Sequence, residues 1–169
     1  MPVVRLNHAV LYVRDVERTT RFYIDLLGFG IRHQVPGKAV FLYAPGSIND
    51  HDLGVFAVGS SAKDSTAGSS TVGLYHLAWE VDTLEELARL AVVLRDAGAL
   101  VGASDHGASK SLYAKDPDGL EFEIAWMVPL SEFPDLNGAG RAPLDIAKEM
   151  ERYGSKRMSN SLTKSPNGE

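Results

Sequence analysis

The 169-residue sequence contains no cysteine. That absence excludes disulfides, thiolate zinc sites and a cysteine nucleophile, and it suits a reducing cytoplasm. Positive charge is also scarce. Lys and Arg number 17 against 22 Asp and Glu, a formal net charge of −5, with no basic cluster in the body of the chain. Such a chain fits neither nucleic acid nor an anionic membrane surface as a partner. No apolar run approaches the roughly 20 residues a membrane-spanning helix needs. Asn7 and His8 interrupt the start before a signal-peptide core can form. Dinucleotide-binding glycine motifs, P-loops and nucleophile elbows are missing as well. These absences predict a soluble cytoplasmic protein.

What is present is an ordinary globular mixture, 44% hydrophobic and 23% charged. Arg5 to Val13 alternates as a strand, with Leu6, His8, Val10 and Tyr12 on one face. Asp15 is placed to cap a helix whose stripe is Val16, Thr20, Tyr23 and Leu27, and Gly28 to end it. Short strands are expected around Phe29 to His33, Ala39 to Tyr43 and Leu53 to Val58. Gly59 to Thr71 is rich in Ser, Gly and Ala and reads as a linker.

The order then repeats. Tyr75 to Val81 reads as a strand, and Thr83-Leu84-Glu85-Glu86 as a capping box opening a helix towards Gly98. Strands near Leu100, from Leu112 to Lys115 and from Leu120 to Met127 follow, with Asp116-Pro117-Asp118-Gly119 as a turn. This is an α+β pattern of two tandem βαβββ modules. The predicted organisation is a domain over residues 1–128, with module one at 4–59, a linker at 60–71 and module two at 72–128. A C-terminal extension over 129–153 carries a helix from Leu144 to Tyr153, and 154–169 reads as a mobile tail.

Five histidines occur: His8, His33, His51, His76 and His106. A lone histidine is ordinarily a surface or packing residue, so placement matters more than presence. His8 and His76 share a register position in the repeat. Phe56 lies 48 residues after His8 and Glu123 lies 47 after His76, which pairs Phe56 with Glu123. Glu123 falls on the face opposite Leu120, Phe122, Ile124 and Trp126. Two imidazoles and a carboxylate on one side of a metal make the facial triad of non-haem Fe(II) oxygenases. A carboxylate lining a solvated sheet face has the same spacing, and spacing alone leaves both readings open.

The segment Asn7-His8-Ala9-Val10 through Phe22-Tyr23-Ile24-Asp25-Leu26-Leu27-Gly28-Phe29 resembles the opening module of the vicinal oxygen chelate superfamily. That superfamily includes glyoxalase I, bleomycin- and fosfomycin-resistance proteins and type I extradiol dioxygenases. His106, with Leu112-Tyr113-Ala114-Lys115-Asp116-Pro117-Asp118-Gly119-Leu120-Glu121-Phe122-Glu123, resembles the extradiol ring-cleavage signature. Ser104, two before His106, departs from the residue types usual there, and the chain holds one pair of modules where the best-known extradiol enzymes have two.

The resemblance, over residues 5–128, implies a half-barrel of two modules and a metal held by His8, His76 and Glu123. The ion implied is Fe(II), or Mn(II) in some members. His51 then matches the family's acid–base histidine beside the O2 site. Tyr113 is implied as the hydrogen-bond partner of the bound catecholate, and His106 as a donor near the substrate hydroxyl. The implied partners are a catecholic substrate and O2, and family members commonly pair into homo-oligomers. Phe56 cannot coordinate, which favours three protein ligands over a glyoxalase-like cage of four. The alternatives are a metal-dependent lyase or isomerase of the glyoxalase or epimerase kind, and a metal-free drug-binding protein.

Overall fold

A computed structural model describes residues 2–67, 70–132 and 140–160. Two compact units divide the chain. The first holds the residues up to Ser65 together with Asp116–Gly119, and the second holds Thr66–Lys115 and the chain from Leu120 onward. Among the described residues no helix is long and apolar enough to cross a membrane.

In the first unit, Asp15 caps α1 (Val16–Leu27) by accepting from the Arg18 N–H at 2.9 Å, which satisfies one of the helix's orphan donors. Gly28 ends the helix at φ 76°, a left-handed conformation that other residues adopt with strain. The buried stripe is Val16, Thr19, Thr20 and Tyr23. It covers a sheet of β1 (Ala9–Val13), β2 (Gly30–Val35), β3 (Ala39–Tyr43) and β4 (Leu53–Ala57), ordered β1-β4-β3-β2. Leu11, Val13, Leu42, Leu53 and Val55 are its buried side chains. Burial, reinforced by the charge of Asp116, pushes the Tyr23 phenol above its ordinary pKa.

The Asp116–Gly119 turn is tied into this unit by charge. Asp118 accepts from the Arg14 backbone N–H at 3.0 Å, the Arg14 guanidinium at 2.9 Å and Arg18 at 2.7 Å. Burial pushes the Asp118 carboxyl up, yet the hydrogen bonds from Arg14 and Arg18 outweigh it and hold the carboxyl below its ordinary value.

In the second unit the Thr83 hydroxyl accepts from the Glu86 N–H at 3.2 Å and caps α2 (Leu84–Asp96). The reciprocal half of the capping box is absent, because the Glu86 carboxylate takes two bonds from Arg89 instead, at 2.6 and 2.8 Å. Leu84, Leu87, Leu90 and Leu94 are the buried residues of α2. The sheet consists of β5 (Leu77–Glu80), β6 (Leu100–Asp105), β7 (Ser109–Lys115) and β8 (Glu121–Met127), ordered β5-β8-β7-β6. Its apolar face carries Leu112, Ala114, Phe122, Ile124 and Trp126, all buried.

Lys110 lies on that same face, two residues before Leu112, and is only 1% exposed. Its ammonium is held 2.5 Å from Asp105 and 3.0 Å from Glu149 of α3 (Ile146–Tyr153), which begins at Asp145 and ends at Gly154. A buried ammonium needs such counter-charges. The mobile tail expected from residue 154 is corrected over 154–160. There the indole N–H of Trp126 donates to Arg157 O at 3.0 Å and the Met127 N–H to Ser159 Oγ at 3.0 Å, and Ser159 is fully buried. Few apolar residues are needed when the stretch is held by backbone groups. The rest of that tail, 161–169, lies outside the described residues.

Both first strands start later than the alternation suggests, so His8 and His76 each stand one residue before their strand. Their equivalence survives, but the pairing of Phe56 with Glu123 does not. Ala78 pairs with Glu123 in the second sheet, and the corresponding residue of the first, Val10, pairs with Gly54. Counting along the chain missed the offset because the connections differ in length between the two modules. Gly54 has no side chain, so this position offers no ligand either.

Lys110→Ala leaves Asp105 and Glu149 facing each other without their cation, and about 3 kcal/mol of stability is expected to be lost in urea unfolding. Removing the exposed Arg95–Asp96 pair should change less than about 0.5 kcal/mol. Because the folded Asp118 pKa is depressed, its contribution is complete above the unfolded value of about 3.9 and is lost as pH falls through the lower folded value. The stability gap between wild type and Asp118→Asn should therefore be constant near neutral pH and close below about pH 4.

Candidate functional site

The polar face of the second sheet follows from the pleat, since residues alternating with the buried Leu112, Ala114, Phe122 and Ile124 point the other way. Tyr113 pairs with Glu123 across β7 and β8, and Glu123 pairs with Ala78 across β8 and β5. His76, two residues before Ala78, brings Nε2 to 3.0 Å from the Glu123 carboxylate. The His76 ring lies 5.8 Å from the Tyr113 ring, centre to centre. The Tyr113 hydroxyl is 2.8 Å from Nε2 of His106. Burial, followed by the charge of Glu123, raises the Tyr113 pKa, with Arg141 opposing.

Two residues that sequence reasoning passed over adjoin this face. The Tyr75 ring lies 4.7 Å from His76, and its hydroxyl donates to Glu121, which raises the Tyr75 pKa. Arg141, from the extension, donates from Nε to Ser104 Oγ at 3.2 Å. Neither carries a recognisable spacing. Tyr75 lies in an irregular lead-in, and Arg141 is placed by a pairing distant in sequence.

In the first unit the loop before β4 is organised by Asp52, only 8% exposed. It accepts from the Ala44 N–H at 2.7 Å, the Ser47 hydroxyl at 2.6 Å and the Asn49 amide at 2.8 Å. That loop presents His51, whose Nδ1 is 3.0 Å from Asp50 Oδ2. The His51 ring lies 4.4 Å from the His8 ring and 5.1 Å from Phe41. His8 Nδ1 is 2.7 Å from Asn7 Oδ1. His33, read from the sequence as a surface or packing residue, is exposed with its ring 6.1 Å from Phe41. The hydrogen bond from His51 is the leading cause holding the Asp50 carboxyl below its usual range.

The structure thus gathers the site residues as His8 with His51 in one unit and His76, Glu123, Tyr113 and His106 in the other. Within neither unit do three His, Asp or Glu side chains cluster as a metal cage among the described residues. The His76–Glu123 separation of 3.0 Å suits a hydrogen-bonded pair. It also suits adjacent ligands of one ion, since two bonds of about 2.1 Å at a right angle end about 3.0 Å apart. His76 Nδ1 is buried without a hydrogen-bond partner. A neutral imidazole and a carboxylate are a donor set that fits a divalent first-row ion.

Residues 5–124 match the Glyoxalase/Bleomycin resistance protein/Dioxygenase superfamily. The chain belongs to this superfamily. It is 32% identical over 122 residues to biphenyl-2,3-diol 1,2-dioxygenase 3 of Rhodococcus globerulus, covering 71% of this chain and 62% of that protein. It is also 32% identical over 119 residues to the catechol-2,3-dioxygenase of Bacillus subtilis, covering 70% of this chain and 40% of that one. The superfamily member here therefore spans under two thirds of the length of these relatives. The crystal structure of a glyoxalase/dioxygenase from Nostoc punctiforme shares the fold with a TM-score of 0.60 at 22% identity, covering 73% of this chain and 91% of that one. The α+β architecture of two four-stranded mixed sheets is that of the superfamily.

In carboxyl-carbon NMR titration, Asp50 is expected to ionise below its ordinary value. In His51→Ala its midpoint should move up towards that value, with the remaining depression owed to Arg32.

Proposed function

We propose that the chain is an Fe(II)-dependent extradiol dioxygenase opening the ring of a catecholic substrate with O2, Mn(II) being the alternative ion. The observation that carries this reading is the 3.0 Å His76–Glu123 contact with Tyr113 paired to Glu123 beside it. Kinship supports it, because the relatives at 32% identity are, by their names, dioxygenases of vicinal aromatic diols. In the proposed site His76 gives one imidazole nitrogen and Glu123 one carboxylate oxygen, and His8 is the third ligand implied by the family resemblance. When bound, the divalent ion lowers the pKa of the diol and supplies the chemistry that activates O2.

The other residues handle protons and orientation. With Nδ1–H donated to Asp50, the lone pair of His51 lies on Nε2, and that atom takes one proton from the diol and later returns it. Tyr113, held by His106, hydrogen-bonds the substrate oxygen as negative charge builds there. In the balanced reaction both atoms of O2 enter the product, and the ring carbon–carbon bond next to the diol breaks. The product is a muconic semialdehyde type of compound.

The test is anaerobic loading with Fe(II), then addition of air and 3-methylcatechol, following O2 uptake and the yellow ring-opened product together. Stoichiometric uptake with product is expected. His76→Ala and Glu123→Ala should each weaken Fe(II) binding more than about 100-fold and abolish turnover. Glu121→Gln, whose carboxylate serves Tyr75, should keep the metal. One tightly bound ion without turnover of any catechol would replace this reading with a lyase or isomerase. No ion bound at all would replace it with a drug-binding protein.

A further inference from the structure

The extension beyond β8 returns to the edge of the second sheet. Ala142 exchanges two backbone hydrogen bonds with Asp105, at 2.8 and 3.0 Å, forming an antiparallel bridge on the outer side of β6. The antiparallel bridge puts Arg141 at the level of His106, and its Nε reaches back along β6 to donate to the Ser104 hydroxyl at 3.2 Å. Ser104 is 3% exposed and pairs with Ser111, on the face that also carries Tyr113 and Glu123. The position opposite Tyr113 is Gly102, where a Cβ would meet nothing within 4 Å. The sheet face beside the Tyr113 phenol is therefore open, and the next residue along β6 on that face anchors an exposed guanidinium.

The acidic groups on this face already have cationic or imidazole neighbours. Glu121 stands opposite Lys115 across β7 and β8 and Glu123 is engaged with His76, whereas among the described residues the Arg141 guanidinium is bonded to a neutral hydroxyl. A hydrophobic diol alone requires no fixed cation at the rim. An anionic substituent on its ring does, and a guanidinium meets a carboxylate with two parallel N–H bonds. We propose that Arg141 is a specificity-determining residue that binds a carboxylate carried on the substrate's ring or side chain, so that the substrate is an acidic catechol. This rests on the extradiol reading of the same site. It also gives Ser104, the residue that departs from the usual signature, a definite task as the anchor of that arginine.

The experiment compares 3,4-dihydroxyphenylacetate and 3-(2,3-dihydroxyphenyl)propionate with their methyl esters, which keep the skeleton and remove the charge. Each is assayed for ring cleavage by the Fe(II)-loaded protein, and its binding is measured by anaerobic calorimetry. At least one acid is expected to be favoured over its ester, mainly through KM. Arg141→Gln should cut that acid-over-ester preference roughly 10- to 100-fold. Activity on the ester and on neutral 3-methylcatechol should stay near wild type, which also reports an intact fold. Arg141→Lys should restore part of the preference, and Ser104→Ala should reduce it while leaving the charge in place. Equal ratios in wild type and Arg141→Gln, with 3-methylcatechol still cleaved, would overturn the proposal and spare the dioxygenase reading. Acid-selective, Arg141-dependent binding without cleavage of any catechol would sustain the carboxylate site and remove the dioxygenase reading.

Discussion

The chemistry assigned to the second unit depends on one register, the pairing of Tyr113 with Glu123 across β7 and β8. Side chains alternate across a pleated sheet, so a slip of one residue would turn Glu123 into the apolar layer and Phe122 out to solvent. The leucines of α2 prevent that slip, because Leu112, Phe122, Ile124 and Trp126 have to be buried on the other side. Hydrophobic burial on one face thus sets the position of every polar group on the other. β5 runs parallel to β8 with Ala78 level with Glu123, so His76, two residues earlier, meets Glu123 diagonally rather than directly across the ladder.

Buried charge is the second organising force. Asp118 draws its turn onto Arg14 and Arg18, and Lys110 draws α3 onto the sheet through Glu149. An ion pair in such a place contributes little net stability over a well-packed apolar substitute, but it is intolerant of losing one member. Position is therefore what these pairs supply. The Lys110 network and the Ala142 bridge both meet Asp105, so the extension is fastened to one end of β6 from two directions. Arg141 inherits its place from that fastening.

Much of this was legible along the chain. The Asp15 and Thr83 caps, the Gly28 stop and the doubled βαβββ order are local features, written in residue types with strong conformational preferences. The face assignment of Glu123 was legible too, since period-two alternation carries over into three dimensions unchanged. The matching of Phe56 to Glu123 failed because counting ignores differences in connection length, and the ladders place Gly54 there instead. Lys110 gave no warning either. A lysine in an apolar stripe looks like a break in the pattern until its counter-charges are known.

The sequence by itself determined the elements, their order and the faces that polar and apolar residues occupy, because those follow from local sterics and from the helical and strand periods. Only the tertiary structure decided which groups meet. The reach of Arg141 to Ser104, the burial of Lys110 between Asp105 and Glu149, and the packing of 154–160 against Trp126 join residues far apart in the chain. Such contacts are selected by the sum of burial and charge over the whole fold, and no local pattern encodes that sum.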